Sequence, residues 1–191
     1  ATWFEARSCE RTQSVNECGG HGVMLGMHIA RLCYDTLFAY GPAARIASET
    51  GVVTPALIRI IETNTLLSCL GFESAGLAAA HAIHNGLTAL PQTHAFYHGE
   101  KVAFGTLAGL HLTDADPDEI DVVYRFCESV GLPTRLADIG LADADRASLR
   151  PAAEKTCDRG QSICHEAGDM TPEQVLDALL MADAYGRSRR A

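Results

Sequence analysis

Four of the eight histidines in this chain, His81, His84, His94 and His98, fall within 18 positions, where a uniform scatter would place fewer than one. Imidazole moves protons near neutral pH and is the commonest side chain on a bound metal. His81 and His84 stand three apart in a run rich in Ala and Leu, so on a helix both rings project from one face. His98 follows 17 and 14 residues later, after a turn through Leu90-Pro91-Gln92. A helix, a reversal and a second helix bring such side chains into one cleft. Two imidazoles there suit Zn²⁺, Fe²⁺ or Ni²⁺ better than Mg²⁺ or Ca²⁺. The other role open to these histidines is structural, as caps on helix carbonyls or as neutral packing groups. A catalytic metal site keeps three protein ligands and one open position, and a carboxylate is the usual third. Glu62, Glu73 and Glu100 are candidates by position. Each also has a structural use: Glu73 as a helix cap, Glu62 on a solvated face, Glu100 in a first turn where the helix dipole favours an acid.

The elements that must position these side chains read as helices. Asp116-Pro117-Asp118-Glu119 and Thr171-Pro172-Glu173-Gln174 each place a capping side chain first, then Pro where no donor is needed, then Glu or Gln three residues on. Thr54-Pro55 opens another helix, running toward Leu70 with Gly71 as its stop. Gly22 to Tyr40 carries Met24, Met27, Ile29, Leu32, Cys33, Leu37 and Phe38 at a spacing near 3.6, and Gly41-Pro42 closes that helix and opens the next. Further helices are expected over 73–87, 100–112, 116–130 and 145–159, the last closed by Gly160. The most polar, loop-like pieces are 11–20, 89–93 and 160–170. No period of two persists, so strands are not expected. The sequence predicts an all-α helical bundle of eight or nine helices in a single domain, 1–191, with no interdomain linker. Gly105 and Gly109 read as helix-packing glycines. No strand leads into a Gly-rich phosphate loop, so the chain offers no place for a dinucleotide.

Composition narrows the function classes. The 191 residues carry 24 acidic and 15 basic side chains, a formal charge of −9, and 47% apolar residues. Such a charge repels phosphate backbones and anionic lipid, which argues against nucleic acid or a membrane as partner. No apolar run approaches the ~20 residues of a transmembrane helix, so a soluble protein is expected. The seven cysteines are odd in number, form no Cys-x-x-Cys pair and sit mostly in apolar stretches. Buried, reduced thiols in a cytoplasmic protein are the expectation. No starting Met and no leader-like segment opens the chain, so Ala1 reads as a cut within a longer protein.

Several phrases carry a more specific resemblance: Thr2-Trp3-Phe4-Glu5-Ala6-Arg7, Val53-Thr54-Pro55-Ala56-Leu57, Gly71-Phe72-Glu73-Ser74, the run from Gly76 to Thr88, and Tyr97-His98-Gly99-Glu100-Lys101-Val102-Ala103. They resemble the bacterial glycerol dehydrogenases of the iron-containing alcohol dehydrogenase superfamily, many of whose members use zinc. The resemblance runs from Ala1 to about Arg189 but covers only the C-terminal part of the family's chain. It implies the all-helical metal and substrate domain of the dehydroquinate synthase-like fold, with the N-terminal α/β domain that binds NAD absent. Residue by residue it makes His81 and His98 metal ligands that also face the substrate. The family's third ligand is an Asp, which would stand three residues before Ala1. His84 matches a family histidine that is not a ligand, which points to support of the ligands or to packing, with a proton relay as its other role. Phe72 matches a residue near the substrate pocket, with core packing as its other role. Ala75 stands where relatives have Gly, which touches only local backbone geometry.

The chemistry implied is oxidation of glycerol to dihydroxyacetone. Zinc, with iron the alternative, polarises the C2 hydroxyl, and NAD accepts the hydride. Glycerol or a related vicinal diol is the implied substrate, and a homo-oligomer, an octamer in bacterial members, the implied assembly. This chain alone, with two of three ligands and no dinucleotide fold, is expected to be inactive. The alternative is a truncated, non-catalytic helical assembly or metal-binding module. A helical metal hydrolase would account for the histidine spacing but not for the matching phrases.

Overall fold

A computed structural model of the chain describes residues 1–190. Among them every regular element is helical, and the only extended pairing is an isolated bridge between Val15 and His21. The all-α expectation is met. The helices gather into two compact units, Thr2–Leu77 and Ala78–Ala191, the second taking in Ala1.

The first unit holds α1 (Thr2–Thr12), α2 (Met24–Glu49), α3 (Pro55–Glu62) and α4 (Ser68–Ala75), with a π-helical turn at Thr63–Leu67 joining the last two. Thr54 caps α3 as its sequence predicts, the hydroxyl accepting from the Leu57 amide at 3.3 Å, with Pro55 in the first turn. Two expected boundaries are corrected. Gly41-Pro42 does not divide a helix: α2 runs through it for 26 residues. Proline in a helix interior removes one donor and crowds the preceding turn, but here Gly41, Ala44 and Ala47 are buried and that packing holds the helix continuous. Nor does Gly71 end a helix. A Cβ there would lie 2.7 Å from Thr2 Cγ2 and 3.5 Å from Ala30 Cα, so this glycine permits close packing. The stop comes at Gly76, whose φ of +99° is unfavourable for other residues. The helix expected over 73–87 is therefore interrupted between Ala75 and Ala79.

The second unit holds α5 (Ala79–Leu87), α6 (His98–Leu112), α7 (Pro117–Val130), α8 (Arg146–Thr156) and α9 (Pro172–Ser188), with short 3-10 turns at Pro91–Thr93, Leu136–Ile139 and Ser162–His165. Thr171 and Gln174 form the expected reciprocal cap of α9. Asp116 caps α7 through the Asp118 amide at 2.8 Å. α5 lies against α6 and α8, and α9 packs on both of those. The core contains Ile83, Leu87, Phe104, Leu107, Tyr124, Leu149 and Leu179, all fully buried. Gly105 allows the closest α5–α6 approach, because a Cβ there would meet the Ala80 carbonyl oxygen at 2.6 Å. All seven cysteines are free thiols; Cys9, Cys33 and Cys127 are buried as expected, but Cys18, Cys69 and Cys164 are exposed.

Candidate functional site

α5 carries the first histidines, and its placement depends on residues far away in sequence. Its N-cap, Ala78, has φ −148° and ψ −129° and no side chain able to cap. Buried Glu166 takes that role, its Oε1 accepting from the Ala79 amide at 3.1 Å. Ser162 Oγ donates to the Ala78 carbonyl at 2.7 Å. A carboxylate at a helix N-terminus satisfies an orphan amide and interacts favourably with the helix dipole. Ala79, Ala80, Ala82, Ile83, Gly86 and Leu87 are buried, which leaves His81, His84 and Asn85 half-buried along the remaining stripe.

The connection to α6 is fastened with equal care. Thr93 Oγ1 donates to the carbonyls of Leu87 and Leu90 at 2.8 and 3.0 Å. Lys101, buried on α6, donates from Nζ to the carbonyls of Thr93 and Phe96 at 3.2 and 3.1 Å. Glu100 accepts from the Tyr97 amide at 2.7 Å, closing the first turn of α6. These bonds present His98, the first residue of α6, to the histidines of α5.

Three of the four clustered histidines meet. The His81 and His98 ring centroids are 5.5 Å apart at 40°. The His84 and His98 centroids are 4.3 Å apart, and His98 Nδ1 lies 3.1 Å from His84 Nε2. His84 Nδ1 is 3.0 Å from Asn85 Oδ1, and Asn85 Nδ2 donates to Gln161 Oε1 at 2.9 Å. Burial holds the His84 imidazole below its ordinary pKa, against the raising effect of the Asn85 bond; His98, Lys101 and His81 lower it further. His94 turns away, its Nε2 paired with the Thr88 carbonyl at 3.0 Å.

The donor set fits a metal in part. Two imidazoles bonded to one tetrahedral ion at the usual nitrogen–zinc distance have centroids about 5 Å apart, close to the His81–His98 separation. Among the described residues no group of three or more His, Cys, Asp and Glu side chains gathers as a metal site. Glu100 is engaged as a helix cap, while Glu62 and Glu73 are exposed on α3 and α4 of the first unit. Phe72, half-buried on α4, also belongs to that unit. Sequence reasoning missed Lys101, Gln161 and Glu166. Lys101 left a trace, as a lone cation among the apolar residues of α6. Gln161 and Glu166 left none, since their partners lie 76 and 87 residues away.

Comparison with known proteins gives this geometry a context. The chain is 54% identical over 190 residues to a glycerol dehydrogenase of Thermotoga maritima, a match covering all of this chain and 52% of that protein. The crystal structure of a probable glycerol dehydrogenase from Sinorhizobium meliloti superposes with a TM-score of 0.95 at 49% identity, over 98% of this chain and 53% of that one. The chain is homologous to about half of a glycerol dehydrogenase. A glycolaldehyde reductase of Halobacterium salinarum is 45% identical over 190 residues, again all of this chain and 52% of the relative. No protein-family model matches the chain. It spans about half the length of the glycerol dehydrogenase relatives it matches. Among the described residues no single helix is long and apolar enough to cross a membrane.

Proposed function

We propose that residues 1–191 are the C-terminal metal and substrate domain of an NAD-dependent glycerol dehydrogenase of the iron-containing alcohol dehydrogenase superfamily. Both compact units would serve that one domain. The observation that carries the proposal is the His81–His98 pair, whose ring separation suits a shared zinc ion, with iron the alternative. Bound there with NAD, zinc supplies Lewis acidity toward a hydroxyl of glycerol, and the nicotinamide supplies a hydride acceptor.

The chain's own residues do the positioning. His81 and His98 each offer an imidazole nitrogen as a donor. Glu166 and Ser162 fix the start of α5, and Lys101 fixes the segment that delivers His98. A third ligand, an aspartate by resemblance, completes the site. Glycerol, or a related vicinal diol, is the substrate that most of the relatives' names favour, and the glycolaldehyde reductase keeps a two-carbon hydroxycarbonyl in view.

The function proposed belongs in the cytoplasm and to a homo-oligomer, an octamer by resemblance. Large apolar side chains left exposed on α2, among them Met24, Leu25, Leu32 and Ile46, support the assembly reading. The 191 residues alone would not oxidise glycerol.

Zinc titration of the full chain against a competing chelator tests the centre. His98→Ala and His81→Ala are expected to weaken binding by more than the ~10–100-fold typical of losing a supporting partner. Unchanged affinity in both variants would remove the centre. Turnover of glycerol and NAD by the chain with added zinc, well above the His98→Ala control, would overturn the claim of inactivity.

A further inference from the structure

We infer that Asn85 and Gln161 are positioning residues for the proposed metal centre, because a directed chain of hydrogen bonds from Gln161 through Asn85 and His84 selects the proton-bearing nitrogen of His98. The inference rests on the reading of His81 and His98 as ligands. Gln161 is held in the turn after α8, where its amide donates to the Asp158 carbonyl at 3.1 Å. Its side-chain oxygen accepts from Asn85 Nδ2 at 2.9 Å. With Asn85 Nδ2 on the Gln161 oxygen, the Asn85 oxygen meets His84 Nδ1 at 3.0 Å.

An amide oxygen carries no proton, so the hydrogen in that junction sits on His84 Nδ1. In the neutral ring Nε2 is then an acceptor. It faces His98 Nδ1 at 3.1 Å, so the hydrogen between the two rings belongs to His98. His98 is left with its lone pair on Nε2, the form a metal requires. Each junction holds one proton, and reversing the Asn85 amide would turn its Nδ2 donor toward His84 Nδ1 and favour the opposite tautomer in both rings. A metal-ligating histidine ordinarily gives its other N–H to a carboxylate, carbonyl or water. Here a second imidazole takes that place, and two amide side chains set its polarity.

This arrangement predicts a tautomer that can be observed without metal or substrate. In the full 191-residue chain labelled with ¹⁵N-histidine, nitrogen–proton correlation spectra of the metal-free protein at mildly alkaline pH should show His98 as the Nδ1–H form, its signals identified by their loss in His98→Ala. Asn85→Leu removes the oriented oxygen; the Nε2–H form of His98 should appear, and zinc affinity should fall about 10-fold. Gln161→Leu should produce a mixture, because the Asn85 amide loses its reference. Gln161→Glu, which keeps an acceptor, should restore the Nδ1–H form. An unchanged His98 tautomer in a folded Asn85→Leu protein would overturn the inference; if that variant does not fold, an unchanged tautomer in Gln161→Leu does the same. Failure of the metal reading looks different: His81→Ala and His98→Ala would bind zinc as wild type does, while the tautomer pattern persists.

Discussion

In residues 2–77 the apolar side chains taken fully out of water are small: Ala6, Cys9, Ala30, Cys33, Ala44, Ala47 and Ala75. Trp3 and Met27 pack partly buried against these, and several other large ones lie outside, with Met24 78% and Val53 79% exposed, and Leu25, Ile46 and Ile58 more than half exposed. Residues 78–190 reverse the arrangement, burying Phe104, Tyr124, Ile83, Leu107 and Leu149 completely and leaving few large apolar groups in water. The second unit therefore carries its own core, and the histidines stand on a frame braced from within. The first unit packs helix backbones closely through small residues and displays apolar surface. Internal packing of large apolar side chains and exposure of large apolar side chains are thus carried by different residues of the chain.

That contrast can be broken by mutation. Leu107→Ala, deep in the second unit, should cost about 3 kcal/mol through lost burial and a residual cavity. Thermal or urea unfolding reads the loss. Leu25→Ser, on the first unit, should change monomer stability by less than about 0.5 kcal/mol yet shift sedimentation toward smaller species. A large stability loss at Leu25, or a small one at Leu107, would undo the distinction.

A smaller effect is expected at the start of α5. Glu166→Ala leaves the Ala79 amide without its carboxylate partner and should cost about 1–3 kcal/mol. Glu166→Gln retains an acceptor and should cost less. Because α5 carries His81 and His84, the alanine variant should also weaken zinc binding, which separates a strut of the site from a mere element of stability.

The smallest effect concerns acid. His111, in the last turn of α6, lies 3.3 Å from the Tyr124 hydroxyl, which donates to the Ala182 carbonyl at 2.8 Å. The Tyr124 oxygen therefore accepts from His111 Nε2–H. Burial lowers the His111 pKa, so the unfolded chain takes up a proton before the folded one. The stability this group contributes is complete above its ordinary pKa of about 6.5 and is lost as pH falls below it. His111→Gln, which keeps a donor, should flatten the fall of Tm with acid; an unchanged slope would remove this residue from the acid response.

Much of this was legible in sequence because the information was local. The caps at Thr54, Asp116 and Thr171, the absence of strands among the described residues and the meeting of His81, His84 and His98 follow from spacing and capping chemistry within short windows. The errors arose where distant residues decide. Gly71 reads as a stop until Thr2 and Ala30 are seen against it, and Gly41-Pro42 reads as a break until the burial around it is known. The start of α5 has no local signal, since its cap is supplied by Glu166. Asn85 and Gln161 are ordinary polar residues until the fold joins them.

The segment from Gln161 to Glu166, polar enough to pass for a dispensable loop, touches α5 at Asn85, Ala78 and Ala79. For anyone wishing to cut, tag or permute this chain, the boundary is sharp. An insertion at Gly168-Asp169 lies beyond all three attachments and leaves them intact, whereas the same insertion after Ser162 separates Gln161 and Ser162 from Glu166 and unfastens the helix that bears two of the three clustered imidazoles. The place that looks most permissive to protein engineering is therefore the hem by which the histidine cluster is sewn to its own helical unit.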